Sequence, residues 1–180
     1  MRIVGGEYRG RYFSPGKSFS ARPTTDLAKE GLFNILNNRI DFESISVLDL
    51  FSGTGSIGYE FLSRGCTELT MIELDFKHVQ FIKKVLKELD EKARVFRTDV
   101  FRFVPHENSK YDLIFADPPF DHPRLEEIPQ LILDNNLLTD NGILIVEHPG
   151  NFNFSKINGF QEIRKYGKVN FSFFTIKKSN

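Results

Sequence analysis

The sequence predicts a doubly wound α/β fold on a mainly parallel sheet, and three observations carry that prediction. Short apolar runs alternate with amphipathic segments between residues 45 and 147, the order that strand–helix–strand crossovers require. Val47-Leu48-Asp49-Leu50 passes directly into Phe51-Ser52-Gly53-Thr54-Gly55-Ser56-Ile57-Gly58, a glycine-rich turn that opens a helix. Tyr111-Asp112-Leu113-Ile114-Phe115-Ala116 stops at Asp117-Pro118-Pro119-Phe120, where consecutive prolines, each with φ at about −65° and no N–H, end the ladder. Both motifs fall at carboxyl ends of strands, the edge of an open α/β sheet where ligands bind.

The elements follow in chain order. Residues 2–6 and 9–13 read as two short strands around a glycine-containing turn, with a loop over 14–23. Thr24, Thr25 and Asp26 offer helix N-caps, and Ala28, Leu32, Ile35 and Leu36 share one face, which predicts an amphipathic helix over 26–38. Strands at 45–50, 68–73, 93–98, 111–116 and 142–147 are interleaved with helices at 56–64, 76–89 and 124–134. Val79, Ile82, Leu86 and Leu89 form the inner stripe of the helix at 76–89; Leu125, Ile128, Leu131 and Ile132 serve the last one. The tail segments 159–166 and 169–177 are joined only by Gly167-Lys168, so no crossover helix fits and they are antiparallel. The expected whole is a mainly parallel seven-stranded sheet with an antiparallel C-terminal hairpin. Residues 1–23 form a small basic β-hairpin arm, and 24–180 one catalytic-type domain.

A chain of 180 residues is long enough for one domain with a substantial core, and 40% apolar with 27% charged residues is ordinary globular composition. Apolar stretches such as Ile143-Leu144-Ile145-Val146 are too short to span a bilayer, and the first residues lack the apolar core of a signal peptide. A soluble, cytoplasmic protein is therefore expected, and the lone Cys66, unable to pair within the chain, agrees with a reducing compartment. His78, His106, His122 and His148 show no metal-ligand spacing, so no metal is expected. His122, two residues past Phe120, reads as a surface-loop histidine, with a place at the border of the base pocket as the competing reading. The net charge is zero but uneven: Arg2, Arg9, Arg11, Lys17 and Arg22 against Glu7 leave residues 1–25 at +4 and the remainder at −4. Basic arms on neutral domains meet nucleic acid through phosphate contacts; a solvated surface hairpin is the competing reading.

The acids around the glycine turn decide between nucleotide-type ligands. Gly53 and Gly55 admit close backbone approach, and Gly58 lets the helix near the sheet. Asp49 lies just before the glycines, where a carboxylate repels a pyrophosphate but favours a sulfonium and an ammonium, which points to S-adenosylmethionine. Glu73, eighteen residues after Gly55, stands where an acid bonds ribose hydroxyls, and Asp99 follows the third strand in reach of an adenine amine. Loop-capping is the competing role for each of these acids.

The glycine loop and Asp117-Pro118-Pro119-Phe120 together resemble amino-directed methyltransferases that use S-adenosylmethionine, on a Rossmann-like class I fold. An exocyclic amine on a base is conjugated and poorly nucleophilic until acceptors hold its hydrogens. Asp117 and the Pro118 carbonyl supply acceptors, and Phe120 stacks on an extruded base. The amino-terminal half narrows the resemblance. Arg2-Ile3-Val4-Gly5-Gly6, Arg9-Gly10-Arg11, Arg22-Pro23-Thr24-Thr25-Asp26 and Leu32-Phe33-Asn34 resemble the RsmD family of 16S ribosomal RNA guanine-N2 methyltransferases. The likeness runs on through Phe51-Ser52-Gly53-Thr54-Gly55, Glu73-Leu74-Asp75, Asp117-Pro118-Pro119-Phe120 and Val146-Glu147. Leu74 stands where the family more often has Met, and His148-Pro149 also departs from the pattern.

The resemblance implies methylation of the N2 amine of one guanine in 16S rRNA, on a partly assembled 30S particle and by a monomer. It implies a cofactor set of Asp49, Phe51, Ser52, Gly53, Gly55, Glu73 and Asp99, with Arg22 and Thr24 near cofactor and base. Arg2, Arg9, Arg11 and Lys17 are implied to contact RNA phosphates. An adenine-N6 DNA or RNA methyltransferase shares the acceptor motif, but 180 residues leave no room for a separate target-recognition domain. A non-catalytic RNA-binding assembly factor needs neither motif, and a nicotinamide-dependent oxidoreductase is opposed by Asp49.

Overall fold

The computed structural model describes residues 1–16 and 25–176. Its strands are β1 (Ser46–Leu50), β2 (Glu68–Glu73), β3 (Arg94–Arg97), β4 (Tyr111–Ala116), β5 (Leu138–His148), β6 (Phe160–Tyr166) and β7 (Val169–Thr175). Its helices are α1 (Asp26–Leu36), α2 (Ser56–Leu62), α3 (Phe76–Leu89), α4 (Val100–Phe103) and α5 (Ile128–Asp134). The strands form one sheet in the order β3-β2-β1-β4-β5-β7-β6. β3, β2, β1, β4 and β5 are parallel, and β7 enters antiparallel to both β5 and β6. The chain winds outward from β1 in one direction and from β4 in the other, so the switch point lies between these two strands. The glycine turn follows one of them and Asp117-Pro118-Pro119-Phe120 the other.

Alternation along the strands builds two cores. Val47, Leu113, Phe115, Ile145, Phe171 and Phe173 face the layer of α1, α2 and α3, with Leu32, Phe33, Phe61, Ile82 and Leu86. Leu48, Leu50, Ile114, Ala116, Leu144, Val146 and Phe174 face the other layer, with Ile128 and Ile132 of α5. α1 and α3 begin at capped ends: the Thr25 hydroxyl accepts from the Ala28 N–H, and the Asp75 carboxylate from those of Lys77 and His78. α3 presents the predicted stripe of Val79, Ile82, Leu86 and Leu89, all buried.

Several elements differ from the sequence reading for local reasons. The expected helix at 124–134 opens as a 3₁₀ turn at Leu125–Glu127, because Pro129 has no N–H to bond the Leu125 carbonyl. β5 starts at Leu138 rather than 142, since Thr139-Asp140-Asn141-Gly142, which reads as a turn, is absorbed as an irregularity opposite β4. α4 was not expected; four residues are too few to show a period. The amino-terminal segments pair through a single antiparallel bridge, Arg2 with Tyr12, instead of two extended strands. This arm lies against α2, and Ile3, 2% exposed, belongs to the first core. Among the described residues no helix is long and apolar enough to cross a membrane.

Candidate active site

A cleft of about 1050 Å³ opens at the carboxyl ends of β1, β2, β4 and β5. Asp49, Phe51, Ser52, Gly53, Glu73, Asp99, Asp117, Pro118 and Phe120 all line it, so the structure gathers these predicted residues into one place. Gly55 stands just behind, where α2 begins. Arg22, Thr24 and Lys17 lie outside the described residues.

The turn after β1 has an unusual backbone. Gly53 and Gly55 have positive φ, and so does Phe51 at +59°, a conformation that costs a bulky residue about 1–3 kcal/mol and occurs mainly at functional sites. Hydrogen bonds hold it: Ser52 N–H to the Ile72 carbonyl at 2.9 Å, Gly55 N–H to the Ser52 carbonyl at 2.7 Å, and Gly53 N–H to Glu73 Oε2 at 2.7 Å. Glu73 Oε1 accepts from the Asp75 N–H at 2.7 Å, so this carboxylate ties the loops after β1 and β2 together. Its oxygens retain further lone pairs for hydroxyl donors. At Gly58 a Cβ would lie 2.7 Å from Met71 Cε and 3.3 Å from Asp49 Oδ2, so glycine permits the approach of α2 to the sheet.

Asp49 is 1% exposed, and its Oδ2 is buried without a hydrogen-bond partner. Burial pushes its carboxyl up to about 8, and the nearby Asp117 and Glu73 push the same way. The Asp117 N–H donates to the Leu50 carbonyl at 3.3 Å, extending the β1–β4 ladder one residue past the last paired strand position. Pro118 is buried and Pro119 exposed, and the His122 N–H closes the turn on the Pro119 carbonyl at 2.8 Å. Phe120 is half-buried at the cleft wall. A pocket with this many carboxylates attracts cations and repels phosphate. Asp99 caps α4 by accepting from the Arg102 N–H at 3.2 Å, so the capping role holds for it at the cleft edge.

The sequence marks the wall only in part: it offers His122 at the pocket border but not Phe101 and Arg124 around it. His122 is half-buried in the cleft, stacked on Phe101 at 5.4 Å between ring centroids and 9° between planes, with Phe51 edge-on at 5.7 Å. The Arg124 guanidinium lies over the Phe101 ring, 3.8 Å from its centroid. These residues come from the turn after β1, from α4 and from the loop after β4, so no local pattern joins them. Glu147, 3% exposed at the end of β5, also lines the cleft. Among the described residues no His, Cys, Asp and Glu group is placed to hold a metal ion.

The basic arm is pinned to the domain. Glu60 of α2, fully buried, accepts from the Val4 N–H at 2.8 Å and from Arg64 Nη1 at 2.6 Å, with Lys29 Nζ at 3.4 Å. Lys29 Nζ donates to the Arg2 carbonyl at 2.5 Å, and the Ser63 hydroxyl to that of Gly5 at 2.6 Å. Arg2 pairs with Asp26 at 3.1 Å and approaches Glu30 at 3.9 Å. Arg9 and Arg11 are exposed, with Arg11 over the Tyr8 ring at 5.1 Å.

A doubly wound sheet with an antiparallel seventh strand, a glycine turn after β1, an acid ending β2 and Asp-Pro-Pro-Phe after β4 defines a class I methyltransferase. The fold is shared with Thermus thermophilus RsmC, solved with AdoMet and guanosine, at a TM-score of 0.69 and 23% identity over 87% of this chain and 44% of that one. The likeness is nearer elsewhere. A second Thermus thermophilus structure, hypothetical protein TTHA0928, superposes with a TM-score of 0.87 at 26% identity, covering 98% of this chain and 99% of that one. Ribosomal RNA small subunit methyltransferase D of Escherichia coli K12 is 38% identical over 148 residues, 82% of this chain and 74% of that protein. The family model described as conserved hypothetical protein 95 matches residues 1–175. The chain belongs to this family, the RsmD family that its sequence resembles.

Proposed function

We propose that this methyltransferase uses S-adenosylmethionine to methylate the exocyclic N2 amine of a guanine in 16S ribosomal RNA. The observation that carries the reading is the placement of the glycine turn and Asp117-Pro118-Pro119-Phe120 on neighbouring strand ends, facing one acid-lined cleft. The residues suit the cofactor: the buried, unpartnered Asp49 Oδ2 beside the turn matches a cationic ligand, and Glu73 offers acceptors to ribose hydroxyls. When bound, the cofactor supplies an electrophilic methyl group on a sulfonium.

The chain's own work is to orient the amine. Asp117 and the Pro118 carbonyl accept the two amine hydrogens, which turns the nitrogen lone pair out of conjugation. Phe120 stacks on the extruded base and fixes its plane. With the cofactor bound, the amine nitrogen held by Asp117 and Pro118 would take the methyl carbon as the carbon–sulfur bond breaks with its electron pair left on sulfur, and one amine proton would pass to solvent water. Alignment supplies most of the acceleration. The RNA assignment is supported by the relatives named ribosomal RNA small subunit methyltransferase D and by the basic arm; a partly assembled 30S particle and a monomeric enzyme complete the proposal.

Labelled cofactor offered to methyl-deficient 30S particles tests it: label is expected on a guanine N2 of the small-subunit RNA. Label on DNA adenine alone would overturn the RNA assignment in favour of an adenine-N6 enzyme, and no calorimetric binding of the cofactor would favour a non-catalytic assembly factor. Asp117→Ala is expected to lower kcat by about 10²–10³-fold, as the loss of an oriented acceptor does. Asp117→Asn, which keeps an acceptor oxygen, should lose far less in single-turnover assays if the residue orients the amine rather than removing its proton.

A further inference from the structure

Two acids of the cleft, Asp117 and Glu147, follow paired residues of neighbouring strands, and a third, Asp49, sits two positions further back on the same face. Leu50, Ala116 and Val146 are register partners across β1, β4 and β5. Asp49 precedes Leu50, while Asp117 and Glu147 follow Ala116 and Val146. All three carry the parity of Phe115 and Ile145, which face the first core. Asp117 and Glu147 each follow the last residues paired between β4 and β5, Ala116 and Val146, on strands about 4.8 Å apart. Glu147 is opposite Phe171 of β7, is 3% exposed and lines the same cleft as Phe120 and Val169. Running from β1 to β5, the cleft passes from the glycine turn through the amine clamp to a further carboxylate for which the methyl-transfer reading has no task.

We infer that Glu147 accepts a hydrogen bond from the N1–H of the target guanine and thereby selects guanine over bases that lack this donor. On the Watson–Crick edge of guanine the N1–H is the immediate neighbour of the N2 amine, on the side away from the sugar. With the amine held at Asp117 and the cofactor on the β1 side, the next donor along that edge points toward β5. In its ionised form Glu147 only accepts, and that form complements N1–H and opposes the lone pair that adenine carries at N1. An enzyme that extrudes a base reads it through hydrogen bonds of this kind. The mismatched base suffers twice: it loses the bond and faces a buried charge. Asp117 alone cannot discriminate, because any exocyclic amine satisfies it. Glu147 is thus a specificity residue, and the inference rests on the amine-directed reading above.

The test uses the full-length enzyme and reconstituted 30S particles in which the guanosine methylated by the wild type is replaced by 2-aminopurine riboside. That base keeps the N2 amine and stacking surface but has an acceptor at N1. The wild type is expected to prefer guanine by about 10²-fold or more in kcat/KM, the scale on which a site built around a donor rejects an analogue without it. Glu147→Gln, whose amide can donate to N1, should bring that preference to within about tenfold with cofactor affinity and melting temperature unchanged. Glu147→Asp should retain the preference for guanine at a reduced rate. Equal use of both bases by the wild type would overturn the inference, as would a Glu147→Gln enzyme that loses rate on both bases by the same factor. If the wild type methylates no guanine at all, the amine-directed reading fails and this inference with it. Normal guanine methylation with unaltered discrimination in Glu147→Gln removes the N1–H contact alone.

Discussion

At neutral pH Asp49 retains its proton before any ligand arrives, because burial and the like charges of Asp117 and Glu73 push its carboxyl up to about 8. A cation placed beside it favours the ionised form, so cofactor binding releases a proton below that value. The association constant should therefore rise with pH by up to about tenfold per unit and level off above about 8. Calorimetry in buffers of different ionisation enthalpy measures the released proton directly; Asp49→Asn should abolish the release and flatten the profile. The effect on the fold runs through the same shift. A raised carboxyl favours the folded chain fully below the ordinary value of 3.8, and that contribution is lost as pH rises through about 8. Asp49, Glu73 and Asp117 were legible in the sequence because each sits at a fixed offset from glycines, a strand end or prolines. Glu147 was not, since it takes its meaning from strand register; of His122 only a place at the pocket border could be read, because its ring partners stand on α4 and on the turn after β1.

Among the elements, α2 departs most from an ordinary surface helix: every residue from Ser56 to Leu62 is buried, Glu60 included. Its carboxylate is compensated by Lys29 of α1 at 3.4 Å and Arg64 at 2.6 Å, with Lys29 itself 1% exposed. Removing one member of such a group strands the others without water, which costs more than the intact pair contributes. Glu60→Ala is expected to destabilise the protein by about 3–5 kcal/mol in urea unfolding, and pairing it with Lys29→Met should recover part of that loss. Additive losses in the double variant would show that the two charges do not compensate one another. The strands and the long α3 could be read from periodicity, because each buries one face of a regular pattern. The anchoring of the arm could not, although a glutamate in the middle of Ile57-Gly58-Tyr59-Glu60-Phe61-Leu62 is a signal: an acid surrounded by apolar neighbours on a short helix demands a buried partner.

On the scale of the whole molecule, charge is divided between a cleft lined with acids and an arm with an excess of arginines, and the two are joined by α2, which starts at the cofactor turn and carries the arm on its far side. That division suits a substrate whose reacting base is neutral and whose backbone is a polyanion: an acid-lined cleft disfavours phosphate, and a basic arm attracts it. Arg2 is occupied by Asp26 and Glu30, so under the proposed RNA reading it is the exposed Arg9 and Arg11 that would take this role among the described residues. Each phosphate contact on single-stranded RNA contributes about 0.7 to the slope of log affinity against log salt. The double variant Arg9→Ser with Arg11→Ser should therefore bind small-subunit RNA more weakly, with the slope reduced by about 1.4 when anisotropy titrations are run between about 50 and 200 mM salt. Its affinity for S-adenosylmethionine should not change, because the arginines lie outside the cleft. An unchanged slope would mean that the arm serves only to cover α2, and that the phosphates are held by some other face of the domain.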